Sequence, residues 1–384
     1  MKLSDVCFEM HQGINTVADK VKYYECGTPI LQSKNITNGI LDLEDVRFVN
    51  ENDYNKYKEK YIPHKGNILL SNIGTIGKSL LIEEEKNLLI AWNIFLIKVN
   101  ESKINSKFLN FYFQYLDMSN YYNKYLTGGT VKFINKKTME NIEIPNISLV
   151  NQIEIANKLE KVQKMIDIRK KQIEELDELI KSQFVEMFQS GNYPREELGK
   201  LCDVRDGTHD SPKYLEESGY KFITSKNIIN NEIDFSEVKY ISKQDYDKFN
   251  TRSKVNYGDI LMPMIGTIGK PMIVNIPDDE IDFAIKNVAL IKFLDNSQVT
   301  NIYIKNLLDS DYFENAILQN KRGGTQKFIA LSDIRKMQIE IPPIELQNQF
   351  ADIVKQIDKQ KFEIQKNLEE MQKLQESLMN KYFG

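Results

Sequence analysis

QIEIANKLEKVQKMIDIRKKQIEELDELIKSQFVEM, residues 152–187, is the stretch whose reading decides the fold. It holds no Gly or Pro and is dense in Ile, Leu, Glu, Gln and Lys. Ile155, Leu159, Val162, Ile166, Arg169, Ile173, Leu176 and Ile180 follow at alternating steps of four and three, an a/d seam broken once, at Arg169. Such a seam asks for a partner helix and a left-handed supercoil. The partner read from the sequence lies at the C-terminus: Ile353, Ile357, Gln360, Ile364, Asn367, Met371, Leu374 and Leu378 repeat the same steps at an offset of 198. Gln360 and Asn367 cost stability there but can fix register. At ~1.5 Å per residue, the stretch makes a rod of roughly 54 Å. A single helix packed on a globular domain is the plainer alternative, but two copies at one offset favour a helix pair.

The totals bound the rest. A chain of 384 residues suggests two or three domains, and 41% hydrophobic with 28% charged residues is ordinary for a globular protein. Cys7, Cys26 and Cys202 cannot build a disulfide framework or a CxxC metal site. Residues 1–10 carry no apolar core behind positive charge, and no apolar run approaches the ~20 residues that span a bilayer. The expectation is a cytoplasmic protein with no membrane partner. The net charge of −4 argues mildly against nucleic acid as a partner. It leaves room for a local basic face, or for a complex whose other subunits supply phosphate contacts.

The chain is one unit written twice. Residues 3–7 match 198–202, and residues 31–57 match 223–249 at an offset of 192 with ten of 27 positions identical, including Ser-Lys-Asn-Ile at 33–36 and 225–228. Ile-Gly-Thr-Ile-Gly-Lys stands at 73–78 and 265–270, Gly-Gly-Thr-x-Lys-Phe-Ile at 128–134 and 323–329, and Ile-Glu-Ile-Pro at 142–145 and 339–342. Asn151-Gln152 then matches Asn348-Gln349, and the heptads follow. The predicted order is an α+β domain over 1–147, a helix over 148–190, a second α+β domain over 191–343 and a helix over 344–384. Two equivalent halves can close symmetrically if the long helices run antiparallel about a pseudo-twofold axis. Strands are expected at 68–70, 80–82, 94–99, 260–262, 272–274 and 288–293, and helices at 108–116 and 302–318. Ser148 is a candidate N-cap, and 189–194 a linker.

Motifs with chemical content are few. Gly77-Lys78-Ser79 invites a P-loop reading, but Asn72 stands where that motif needs Gly, and the second copy continues Lys270-Pro271. A Gly-containing turn between strands fits better, with Lys78 and Lys270 free to meet a phosphate, or a plain hairpin turn. The Gly-Gly-Thr-x-Lys-Phe loops carry Lys132, Lys136 and Lys137 in one half and Lys321, Arg322 and Lys327 in the other. They suit phosphate contact, Gln326 or Arg322 could read base edges, and a solvated charge cluster is the alternative. Asp206-Gly207-Thr208-His209 hints at an Asp/His pair, but residues 11–13 lack the acids, which favours a ligand-contacting polar turn. No catalytic, zinc or methyltransferase signature is found, so recognition or scaffolding is expected rather than catalysis.

Taken in order and in two copies, these motifs resemble the DNA specificity subunit of type I restriction–modification systems. The carriers are Ser-Lys-Asn-Ile, Gly-Asp-Ile-Leu at 258–261, Ile-Gly-Thr-Ile-Gly-Lys, Asp-Gly-Thr-His at 206–209, Gly-Gly-Thr-x-Lys-Phe-Ile, and Ile-Glu-Ile-Pro before a long helix. The resemblance implies two target recognition domains, each reading half of a split double-stranded DNA sequence. It implies helices that set the gap and dock two methyltransferase subunits, which hold S-adenosylmethionine; a restriction subunit can join, and this chain itself needs no cofactor. It carries DNA contact onto Lys34, Asn35, Thr75, Lys78, Thr130 and Lys132, and onto Thr208, His209, Lys226, Asn227, Thr267, Lys270, Arg322, Thr325, Gln326 and Lys327. The first half departs with Gly66-Asn67 in place of Gly-Asp and lacks Asp-Gly-Thr-His, which puts those contacts in doubt there. The competing reading is a duplicated coiled-coil scaffold that never touches DNA.

Overall fold

The apolar run Ile68–Ser71 is a strand buried on both faces. Ile68 and Leu70 enter one core cluster and Leu69 another, as a continuous Ile/Leu run requires. The counterpart Ile260–Pro263 does the same, with Ile260 and Met262 on one side and Leu261 on the other. In this computed structural model the described residues are 1–384 apart from 38, 190, 217, 230, 266, 267, 295, 296, 311, 312 and 314–327.

The chain divides into two compact units, Met1–Lys170 with Lys366–Gly384, and Lys171–Gln365. In the first, a four-stranded antiparallel sheet runs in the order Cys7–Gln12, Ile94–Val99, Ile68–Ser71, Ser79–Leu81. Beside it lies a mixed sheet of Arg47–Val49, Thr28–Leu31 and Leu89–Ile90. Helix Glu51–Tyr61 starts at Asn50, whose side chain accepts from the Asp53 N–H. Helix Ser106–Met118 starts at Asn105 in the same way, satisfying an amide the helix leaves orphaned. That second helix buries Phe108, Phe111, Tyr112 and Phe113; full burial of one such ring stabilises by roughly 1.5–3 kcal/mol.

The second unit repeats the plan. Its main sheet is Cys202–Asp206, Val288–Phe293, Ile260–Pro263, Met272–Ile273, and its mixed sheet is Lys239–Ile241, Tyr220–Thr224, Phe283–Lys286. The registers match: Ile68 faces Ile97 in one unit and Ile260 faces Ile291 in the other. The helix expected over 302–318 is seen as Asn301–Leu308, and most of the remainder lies outside the described residues.

Two helices of 40 residues, Leu149–Phe188 and Ile344–Phe383, contribute to both units. Their starts are set by buried glutamines. Gln152 is fully buried; its Oε1 accepts from the Asn105 N–H at 2.9 Å and its Nε2 donates to the Ile147 carbonyl at 2.7 Å. Gln347, also fully buried, accepts from the Thr300 N–H at 2.8 Å and donates to the Pro342 and Gln298 carbonyls. The partner of Gln152 is therefore Gln347, not Gln349, and the helices repeat at an offset of 195 rather than 198.

That correction moves the apolar face of the C-terminal helix. The central helix buries Ile155, Leu159, Val162, Ile166 and Ile180 as expected, with Ile173 and Leu176 half-buried. On the C-terminal helix the buried positions besides Gln347 are Phe350, Ala351, Val354, Ile357, Leu368 and Met379. Ile353, Ile364, Met371 and Leu378 are half-buried, Leu374 is 50% exposed, and Gln360 and Asn367 are exposed. Gln360 and Asn367 are thus not buried polar positions. In the first unit Gln375 donates to Gln163 at 2.7 Å; in the second Lys361 pairs with Asp177. Among the described residues no helix is long and apolar enough to cross a membrane.

Candidate nucleic-acid interface

Motifs scattered through each half converge on one edge of its main sheet, the end at which Cys7–Gln12 and Ile68–Ser71 stop and Ile94–Val99 begins in the first unit. In the first unit, strand Cys7–Gln12 ends in Gly13, where a Cβ would lie 2.3 Å from the Ile90 carbonyl oxygen. Only glycine lets the chain pass that close. The chain then bridges Ile14 to Ala91. Gln12 Nε2 donates to the Trp92 carbonyl at 3.1 Å, and Asn93 Nδ2 donates to Ser33 Oγ at 2.9 Å, which ties the Ser-Lys-Asn turn to the same edge. The Asn72 N–H donates to the Asn93 carbonyl, and the Ile134 N–H to the Asn72 carbonyl. Ile73 bridges Phe133. The Ile-Gly-Thr-Ile-Gly-Lys turn and the Gly-Gly-Thr-x-Lys-Phe loop are therefore neighbours.

The second unit repeats these bonds. A Cβ on Gly207 would lie 2.4 Å from the Ile285 oxygen, and Thr208 bridges Lys286. Ser225 Oγ donates to the Asn287 carbonyl, the Met264 N–H to the same carbonyl, and the Ile329 N–H to the Met264 carbonyl. Ile265 bridges Phe328.

The first turn uses its own amides. The Gly77 N–H donates to the Ser71 carbonyl and the Lys78 N–H to Ser71 Oγ, both at 2.9 Å, so these donors do not form a phosphate cradle. Gly77 sits at φ +89°, and a Cβ there would strike the Tyr122 ring at 2.5 Å. Lys78 Nζ is 2.7 Å from Asp117 Oδ2, both partly buried. Lys270 is 70% exposed, with Nζ 3.8 Å from Asp309. Thr75, Thr130 and Lys132 are exposed; residues 127–133 close on themselves through reciprocal Thr127–Phe133 backbone bonds. Between Asp117 and Glu140 there is no acid, and Lys124, Lys132, Lys136 and Lys137 make that segment locally basic. Lys34 pairs with Asp45, and Lys226 is exposed. Thr267, Arg322, Thr325, Gln326 and Lys327 lie outside the described residues.

Two expected contacts are corrected. Asn35 is 2% exposed; its Oδ1 accepts from the Gln32 N–H and its Nδ2 donates to the Asp42 carbonyl. Asn227 is buried too, accepting from the Thr224 N–H and hydroxyl and donating to the Asp234 carbonyl. Both amides are consumed in shaping the turn and have no surface to offer a base. The Asn67 departure is also structural: Asn67 Oδ1 accepts from the His64 N–H, as Asp259 Oδ2 accepts from the Asn256 N–H. Burial pushes the Asp259 carboxyl up, against the pull of Lys292.

Asp206 and His209 do meet, with Asp206 Oδ2 accepting from the ring Nε2–H at 2.8 Å. His209 Nδ1 lies 2.8 Å from Asn287 Oδ1, so the ring faces an amide and not a hydroxyl or thiol nucleophile. Thr208 Oγ1 accepts from the Asp210 N–H. Sequence reasoning missed Gln12, Trp92, Asn93, Asn287 and Arg252, which share this edge or border it. Trp92, the only tryptophan, was the one signal available, since the others become neighbours only through strand pairing. Among the described residues no group of His, Cys, Asp or Glu is arranged to hold a metal ion.

Comparison with known proteins agrees with this layout. The family described as "Type I restriction modification DNA specificity domain" matches residues 1–178 and again 193–373. The chain is 24% identical over 406 residues to the putative type I restriction enzyme MjaX specificity subunit of Methanocaldococcus jannaschii, covering 99% of this chain and 91% of that one. It is 24% identical over 340 residues to the MjaVIII specificity subunit of the same organism, covering 82% and 75%. Among solved structures it resembles the type I restriction–modification S subunit from M. genitalium, with a TM-score of 0.55 at 14% identity over 100% of this chain and 95% of the other. It also resembles a chain from work on assembly and conformational transition of the type I R-M system, with a TM-score of 0.52 at 15% identity over 100% and 96%. At these identities the structural likeness speaks for the fold, while the sequence match covers both units. This chain belongs to the type I restriction–modification DNA specificity family.

Proposed function

We propose that this chain is the DNA-reading subunit of a type I restriction–modification complex, each unit taking one half of a bipartite double-stranded target. The observation that carries the reading is the same loop assembly in both units: a Gly-rich turn bridged to a second loop through Ile73–Phe133 and Ile265–Phe328, beside the Ser-Lys-Asn turn. Exposed Lys34, Thr75, Thr130, Lys132, His209, Lys226 and Lys270, with half-buried Thr208, supply phosphate and base contacts from that edge; Lys78 contributes once it leaves Asp117. Thr267, Arg322, Thr325, Gln326 and Lys327 lie outside the described residues and are assigned to DNA contact by the repeated motifs alone. Phosphate contacts position the duplex and base contacts carry the sequence.

In this reading the two 40-residue helices form an antiparallel coiled coil on a pseudo-twofold axis. Its length sets half-site separation, as protein geometry sets spacing in dimeric binders. Contacts within each unit favour that direction: Lys158 meets Tyr382 while Gln163 meets Gln375, and Phe184 meets Phe350 while Asp177 meets Lys361. Two methyltransferase subunits dock on the helices and bring S-adenosylmethionine; a restriction subunit can join them, and the complex works in the cytoplasm on adenine methylation. Sequencing the methylome of cells that carry this chain with its methyltransferase partner, and of cells lacking it, tests the proposal. A split motif that vanishes with the chain supports it, and an unchanged methylome removes it.

A further inference from the structure

The second unit carries a charged cluster that has no counterpart among the described residues of the first. Asp206 ends the strand Cys202–Asp206 and is 5% exposed. A buried carboxylate must be paired or hydrogen-bonded to stay ionised. Here it holds two outward side chains from different elements: His209 through Oδ2, and Arg252 Nη2 through Oδ1. The side chains of both are 63% exposed. Arg252 sits in the last turn of helix Lys243–Ser253 on a fixed base. Its carbonyl accepts from Arg205 Nη1 at 2.7 Å, and the next residue, Ser253, is buried with its hydroxyl on the Phe249 carbonyl. Lys248 pairs with Asp210, and Lys286 donates to Ser211, which ties down the loop that carries His209. Through Asn287 the cluster joins the edge formed by Ser225 and Met264.

We propose that Arg252 reads a guanine edge in the second half-site and that Asp206 is its positioning residue; this rests on the DNA-reading function above. Asp206 occupies part of the guanidinium, and among the described residues no other partner takes its remaining N–H donors. They face solvent as a planar fork, the shape that matches guanine O6 and N7 in the major groove. The pairing also decides between base and phosphate. A guanidinium neutralised by an adjacent carboxylate gains little from an anionic phosphate, where charge does the work. It keeps its directional donors for the neutral acceptor pair of guanine. The first unit cannot make this contact at the matching place: Gln12 stands opposite Phe95 as Asp206 stands opposite Ala289, and Lys60 occupies the helix position of Arg252.

The test is methylome sequencing of the assembled complex with Arg252→Ala, Arg252→Lys and Asp206→Asn. Arg252→Ala and Arg252→Lys should each relax one guanine-bearing position in one half of the motif, by about ten- to hundredfold in discrimination, and leave the other half unchanged. Asp206→Asn should relax the same position less. An intact motif, or methylation lowered evenly across sequences and restored by lysine, overturns the proposal and makes Arg252 structural or a phosphate contact. Arg252→Lys keeps charge and length, so it reads the fork even if Asp206→Asn destabilises the unit. Failure of the underlying function would look different: the wild-type motif would then not depend on this chain at all.

Discussion

The two recognition units keep the same backbone and change what it presents. Gly13 and Gly207 pass the same carbonyl at the same clearance, Gln152 and Gln347 anchor the same helix start, and Tyr112 and Tyr303 donate to the same strand carbonyl at Glu143 and Glu340. Around the repeated turns of the loop edge the likeness stops. The first unit sets Gln12 against Trp92 and His11 against Tyr61; the second sets Asp206 against His209 and Arg252. Residues that close the fold are shared, as are turn residues such as Lys34 and Lys226 or Lys78 and Lys270, while the outward residues that flank those turns diverge. This is what two readers of different half-sites require, since a half-site is distinguished by side chains and not by the frame that holds them.

The comparison breaks first at the glycines. Gly13→Ala and Gly207→Ala should each cost about 3 kcal/mol or more, because a methyl group would overlap a backbone oxygen that cannot retreat. Thermal or denaturant unfolding checks this, and similar losses at both sites are expected from a shared frame. Gln347→Ala should cost about 2–3 kcal/mol and Gln152→Ala somewhat less, since the first strands one amide and two carbonyls and the second one of each. Equal costs would mean that relaxation or water rescues the orphaned groups.

Smaller effects sharpen the contrast. Lys270→Ala should lower the salt slope of DNA binding by about 1, and Lys78→Ala by less, because Lys78 begins in an ion pair with Asp117. A larger change at Lys78 would mean that Asp117 releases it on binding. The smallest effect is chemical. Burial pushes the Cys7 and Cys202 thiols up to about 12, whereas Cys26 is exposed. Alkylation of the native protein near pH 8 should therefore label Cys26 alone on a fast timescale, since the thiolate is the reacting form. Fast labelling of Cys7 but not Cys202 would show that the two frames differ in local opening.

Much of this was legible in the sequence. Duplication, the α+β content, the strands at 94–99 and 288–293, the aromatic helix and the long helices all follow from motif order and periodicity. The phase of the C-terminal helix was not. Its Ile, Met and Leu residues satisfy two phases that share Ile357, Ile364, Met371 and Leu378, and only the buried contacts of Gln347 choose between them. Ser-Lys-Asn read as a contact motif because it recurs, but recurrence came from turn closure at Asn35 and Asn227. The cluster around Asp206 escaped because Arg252 is 46 residues away and reaches it only when helix Lys243–Ser253 packs near that strand.

The most direct test of two independent readers is an exchange of residues 194–341 for the matching segment of a relative with a different target, followed by methylome sequencing of the complex. The account predicts a split motif in which one half changes, the other half is retained and the spacing is unchanged. A motif that stays whole after the exchange, or changes in both halves at once, would contradict it.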